Sequence, residues 1–383
     1  MSKNKKIKII LIILIIIILS CSLFIIKNKI RNKKTTSNNL DYIIKNKEVE
    51  YKITNDENLV ENSSLNYTQN KDLELIELIN LISQNIIKYV NNSILDNCSI
   101  IGGYTYNQEL NIYEPTSYGI GYYVLYDFSE IYKKTREDYY LRIAENQKQC
   151  IEKLWPQNFD NERILVLSTI LWAESSYYLA TNQSPNQKTI LLAEYVLKKD
   201  SNETNFNLYA QHMLRKTWAL ANYYELTKRE EFYEKAKKIM LDLEQKKQNN
   251  NISEYVKAEF LRGFCELYRV KKEKETLDFI NKNFEILLNF KNHDGSFGTK
   301  EIDKTLVTYQ ALNALDSCYE ATKQQEYLEL IINSLEFLSK NLDEKQFGII
   351  ELKNKKSISL NTEILKVIIK LRESLKEKME NQN

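Results

Sequence analysis

FEILLNFKNHDGSFGTKEIDKTLVTYQALNAL, residues 284 to 315, holds the architecture of the whole chain in miniature. Its first part reads as an amphipathic helix and Asp294-Gly295 as a tight turn inside a short loop. Leu306, Tyr309, Leu312, Ala314 and Leu315 then keep the apolar period of a second helix. One such hairpin cannot bury its faces alone, so the unit must recur and stack.

The recurrence is written in the turns. Tyr132-x-x-Thr135-Arg136, Tyr178-x-x-Thr181-Asn182, Tyr224-x-x-Thr227-Lys228 and Tyr319-x-x-Thr322-Lys323 share one pattern, and Tyr268-x-x-Lys271 is a degenerate copy. Successive tyrosines are 46, 46, 44 and 51 residues apart. Each ends one helix, and the Thr-plus-polar segment supplies capping oxygens for the next. Periodicity predicts twelve helices, over 72–94, 116–134, 137–154, 161–181, 187–198, 205–226, 229–247, 252–269, 274–291, 303–320, 325–341 and 359–378.

The second helix of each pair forms one class. Connections leaving that class are mostly the short tyrosine turns, whereas the loops leading into it are longer and more varied. Seven of the eight glycines lie in those longer loops or at the helix starts they feed, and only Gly263 does not. Glycine permits conformations and close approaches that other residues forbid, so this rim is the specialised one.

Ahead of the repeats, residues 1–34 form a basic-flanked segment with an apolar run from Ile9 to Ile26. Eighteen residues at about 1.5 Å each span roughly 27 Å, near the thickness of a bilayer core. The expectation is one N-terminal transmembrane helix: a signal anchor in the cytoplasmic membrane, single-pass, with the domain extracytoplasmic. Lipidation at Cys21, within Ile18-Leu19-Ser20-Cys21, is the competing reading. Residues 35–70 are polar and Asn-rich and read as a flexible tether, leaving 71–383 as the folded domain.

The first 34 residues carry nine of the 54 Lys and Arg and none of the 52 acids, so the remainder is net acidic. That excludes a nucleic-acid surface, which needs a concentrated positive field on the folded domain. The five cysteines, at 21, 98, 150, 265 and 318, show no paired spacing and read as buried thiols rather than a disulfide framework. Asp96-Asn97-Cys98 is a poor start for a zinc site with only His212 and His293 elsewhere, and neither metal nor cofactor is expected.

Six hairpins of about 46 residues with DGSFG in the fifth resemble the (α/α)6 toroid of six-hairpin glycosidases, uronate lyases and epimerases, and terpenoid cyclases and prenyltransferases. LLNFKNHDGSFG is similar to the cyclase QW pattern, with Lys291 in place of its Gln and Phe297 in place of its Trp. The cyclase acidic motif is absent, so that activity does not follow. The resemblance implies an all-α toroid whose first-class helices line the centre, with the long-loop rim opening into a funnel.

Candidates at that mouth are Glu114, Asp294 and His212 for proton transfer, and Tyr113, Tyr118, Tyr209, Glu254, Tyr255 and Lys304 for substrate binding. Glu114 precedes Pro115 where a helix is expected to begin, and Asp294 also suits the turn residue before glycine. Glu363, Arg215 and Arg262 lie on the same helix class, the arginines suited to pairing buried acids or gripping a uronate carboxylate. Tyrosines, acids and amides together suit a sugar, whose ring faces stack and whose hydroxyls bond. The reading is a membrane-anchored carbohydrate-active protein of hydrolase, lyase or epimerase type with a glycan ligand. Its alternative is a non-catalytic HEAT-like scaffold that binds protein along an open concave face.

Overall fold

A computed structural model describes residues 75–88, 90, 104–107, 112–115, 120–154, 159–300, 304–342 and 358–380. The helices among them number twelve: α1 (75–88), α2 (Ile120–Thr135), α3 (Asp138–Leu154), α4 (Ile164–Thr181), α5 (Gln187–Lys198), α6 (Phe206–Thr227), α7 (Glu230–Lys247), α8 (Glu254–Val270), α9 (Lys274–Leu288), α10 (Lys304–Thr322), α11 (Gln325–Ser339) and α12 (Ile358–Glu380). The even-numbered helices form an inner ring in which each packs on the next and α12 returns to α2. At that junction Thr362 donates to Asp127 at 2.7 Å, and the Lys366 ammonium lies 3.5 Å from the same carboxylate. The ring closes, which rules out an open solenoid.

Inner and outer helices differ as their sequences require. On α4 every residue from Leu167 to Tyr178 is buried, because neighbours cover it on all sides. On α7 only the stripe through Phe232, Tyr233, Ala236, Ile239, Met240 and Leu243, with Glu244, is buried, and the rest faces out. Two of the long loops end in side-chain caps, Asn205 and Ser253 accepting the amides of Leu208 and Val256, and after a tyrosine turn Asn186 likewise accepts the amide of Thr189.

The tyrosine turns share one geometry. Arg136, Asn182, Lys228 and Lys323 all have positive φ, between 55° and 61°, and each donates its amide to the tyrosine carbonyl four residues back. Each threonine hydroxyl bonds the carbonyl four residues before it, and those of Thr135 and Thr322 also accept the amide two residues on. The copy lacking threonine departs from this: Lys271 is extended, at φ −149°.

Two sequence expectations need correction, and a third lies outside the described residues. Tyr104–Asn107 and Ile112–Pro115 form an antiparallel hairpin, β1 and β2, where a loop was expected. β-branched and aromatic residues flanking a polar turn are the signal that was overlooked. Cys265 and Cys318 are not thiols but a disulfide joining α8 to α10 across 53 residues, with Cα atoms 4.9 Å apart, and Cys150 is disulfide-bonded too. Spacing in the sequence did not pair them because the ring does. The apolar run 9–26 lies outside the described residues, among which no helix is long and apolar enough to cross a membrane.

Candidate functional site

The DGSFG loop is a clamp. Asp294 accepts both the amide of Ser296 at 3.0 Å and its hydroxyl at 2.6 Å, and these two bonds hold its carboxyl below the usual range. Phe297 donates its amide to Thr308 of α10, while Thr299 donates amide and hydroxyl to Glu254 of α8. Gly295 has φ 84°, and a Cβ there would stand 2.2 Å from the Asn333 carbonyl of outer helix α11. Gly295→Ala is therefore expected to cost about 1 to 3 kcal/mol, read as a lower urea midpoint with unchanged m-value. A midpoint equal to wild type would mean the loop can leave α11 freely.

The other candidates scatter. Glu114 and Tyr113 belong to β2, paired with Thr105 and Tyr106, so Glu114 is not the helix-start acid its position beside Pro115 suggested. Tyr118 lies outside the described residues. His212 is buried, with Nδ1 3.1 Å from the Ser201 hydroxyl, and burial lowers its pKa so that it stays neutral. Tyr209 packs on Phe206 beneath the Lys246 ammonium, and Glu254 is spent on Thr299. Lys304 begins α10. Of the candidates whose side chains are described, only Tyr255 belongs to what fills the centre.

That centre is a polar column running down the inner helices, its residues recurring at three- and four-residue steps. Tyr123 and Tyr255, half-buried, form its upper edge, with Gln310 donating to the Tyr255 hydroxyl at 2.5 Å. Directly associated are two acid–arginine pairs. Arg215 Nη2 is 3.7 Å from Glu259 Oε1, and Arg262 Nη1 is 3.6 Å from Glu363 Oε1. Both guanidiniums lie 4.2 Å from the Trp218 ring centre and 5.2 Å from that of Trp172, on which Tyr126 stacks at 3.6 Å. Lower down, Lys366 bonds Asn313 and covers the Tyr126 ring, and Arg269 joins Glu266, Glu225 and Asn222.

The middle of the column is short of hydrogen bonds. Glu259 Oε2, both oxygens of Glu363, Nε and Nη1 of Arg215, Nε of Arg262 and the indole nitrogens of Trp172 and Trp218 are buried without a protein partner. Each such atom costs about 1 to 3 kcal/mol, and a distance beyond 3.5 Å leaves room for a bridging group. Burial pushes Glu259 up to about 7, against the opposing pull of Arg215 and Arg262 and with a further push from Glu363. Lower in the column burial acts on Glu266 too, but Arg269 and Arg262 outweigh it and hold the group down to about 2. One carboxyl is thus poised near neutrality and the other fully ionised. Among the described residues no group of three metal-ligating side chains occurs.

Sequence reading named Tyr255, Glu363, Arg215 and Arg262 but missed Glu259, Asp127, Trp172, Trp218, Tyr123 and Lys366. Tyr255-x3-Glu259-x2-Arg262-x3-Glu266-x2-Arg269 was the available signal: a charged stripe on a helix whose remaining faces are apolar.

No protein-family model and no curated protein sequence matches the chain. Solved structures do match in fold. The GH76A α-1,6-mannanase of a Salegentibacter species superposes with a TM-score of 0.60 at 16% identity, covering 78% of this chain and 99% of that one. Cellobiose 2-epimerase from Bacillus thermoamylovorans gives 0.60 at 13% identity, with 78% and 99% covered. A D-mannose isomerase gives 0.58 at 10% identity, with 77% and 97% covered. A variant of that mannanase, made inactive by replacing two adjacent aspartates, is solved with α-1,6-mannotriose. This chain is an all-α (α/α)6 toroid, the fold of those enzymes.

Proposed function

We propose that the protein is a sugar-acting enzyme whose acid–base pair is Glu259 and Glu363, with a saccharide ring stacked on Tyr123 and Tyr255 at the upper edge of the column. The carrying observation is the set of unpartnered buried polar atoms on Glu259, Glu363, Arg215 and Arg262, contributed by three facing inner helices. A ligand rich in hydroxyls would satisfy them. The fold likeness to a mannanase and two sugar-converting enzymes supports the same class.

Two carboxylates suffice for hydrolysis of a glycosidic bond. Glu259, still holding its proton near pH 7, donates it to the leaving oxygen. Glu363, beside Arg262, serves as the carboxylate on the other side, as base or nucleophile. No two aspartates are adjacent anywhere in this chain, so its pair comes from separate helices. Histidine-based proton transfer is disfavoured, because His212 bonds Ser201 and His293 is exposed on the clamp loop.

The proposal includes a single-pass anchor at 9–26 and a toroid outside the cytoplasmic membrane. Support comes from the Cys265–Cys318 disulfide, a bond that persists in oxidising compartments.

The test is product analysis by mass spectrometry after incubating the full-length protein with α-1,6-mannooligosaccharides, cellobiose and uronate-containing oligosaccharides. Glu259→Gln and Glu363→Gln should each lower kcat by about 10² to 10⁴. Turnover that ignores both changes would remove the pair from the mechanism. No turnover and no glycan binding would favour a non-catalytic role for the closed ring.

A further inference from the structure

Outside the ring, the loop leading into α8 overhangs a groove of about 290 Å³ between the end of α7 and the outer helix α9. Ile252 and Ile286 give it an apolar lining, Asn250 and Asn251 add amides, and three lysines, Lys247, Lys257 and Lys282, line it. Two of these cations share one acid. Glu244 lies 2.6 Å from Lys247 and 3.0 Å from Lys282, and Lys247 also donates to Asn283 at 2.7 Å. Among the described residues no carboxylate lies within ion-pair range of Lys257. Burial lowers the Lys247 pKa against the raising pull of Glu244, and the neighbouring charges of Lys282 and Lys257 add to the lowering.

A patch with three cations and a single buried counter-charge attracts anions, and its apolar and amide lining adds what a sugar ring and its hydroxyls need. We propose that this groove binds an acidic saccharide, with its oxyanion, a uronate carboxylate or a phosphate ester, held between Lys257 and Lys282. Lys247, bonded to Glu244 and Asn283, adds positive charge to the same groove. The site goes beyond the axial reading and stands without it. On the long-loop rim, it would hold a charged part of a glycan apart from the axis.

Isothermal titration of the full-length protein tests this with four probes: trigalacturonate, glucose 6-phosphate, neutral maltotriose and inorganic phosphate. Either or both acidic saccharides should bind, identifying which oxyanion is preferred, with maltotriose and inorganic phosphate at least about tenfold weaker. Binding should weaken as salt is raised. Lys257→Gln and Lys282→Gln should each weaken it by roughly fivefold to tenfold through lost charge complementarity, while both retain the wild-type melting temperature. Glu259→Gln should leave it unchanged. Equal affinity for maltotriose or for inorganic phosphate would overturn the acidic-saccharide assignment. So would binding that survives the double lysine variant, and loss in Glu259→Gln alone would move the ligand into the axial column.

Discussion

Replacing Arg262 by methionine is expected to lower stability by about 3 to 5 kcal/mol, the cost of leaving a buried charge without its partner. Methionine keeps much of the length and apolar bulk of the side chain, so the loss reports charge more than a cavity. Arg262 is the cation paired with Glu363, and it also helps hold Glu266 ionised. Its guanidinium covers Trp218, so a cation–π contact disappears as well. Urea unfolding at pH 7 measures the total. Adding Glu363→Gln should restore part of the loss, because the orphaned charge is then gone, and the double-mutant cycle isolates that coupling. A loss under about 1 kcal/mol would mean the pair is as weak as a surface contact.

The second large effect is a fall in stability between pH 5 and pH 8. Burial raises Glu259 to about 7, Glu174 to about 7 and Asp127 to about 8, in each case against nearby cations that pull the other way. Each group keeps its proton in the folded state over a range where the unfolded chain has released it. Its contribution is therefore full below the unfolded pKa, near 4, and is lost as pH rises through the folded value. For Glu259 the difference from 4.5 to about 7 is worth about 3 kcal/mol. Glu266 and Glu320, held down to about 2, behave oppositely, but their contributions are lost only below about pH 4.5 and are constant in this window. His212, with its lowered pKa, gains stability as pH rises toward 6.5 and so opposes the three over the acid half. Urea midpoints should be higher at pH 5 than at pH 8, and Glu259→Gln should flatten the slope by about 3 kcal/mol. A midpoint that rises across the window would show these carboxyls ionised inside the fold.

The helices were legible because inner and outer segments each had a sufficient local pattern, and the Tyr-x-x-Thr turns counted them. Closure was reached only through the family resemblance and the disulfide was not read at all, since both depend on residues 53 or more apart meeting around a ring. The site was legible only in part, for a physical reason. Glu114 and Asp294 drew attention through their position at loop ends, where a carboxylate is noticeable but solvated, and Asp294 proved to serve its own turn. Glu259 and Trp172 lie mid-helix, where sequence reading expects core. Nothing local distinguishes a buried acid that pairs with one arginine from a buried acid that is half satisfied; that difference belongs to the partner helices.

Return of α12 to α2 through Asp127, Thr362 and Lys366 has a consequence for how such a protein can change over generations. A linear stack grows or shrinks by one unit and remains a stack. In a ring every hairpin has two neighbours, so gaining or losing one alters the curvature demanded of all the others. Repeat number is therefore frozen, and the variation open to the lineage lies in the long loops of one rim.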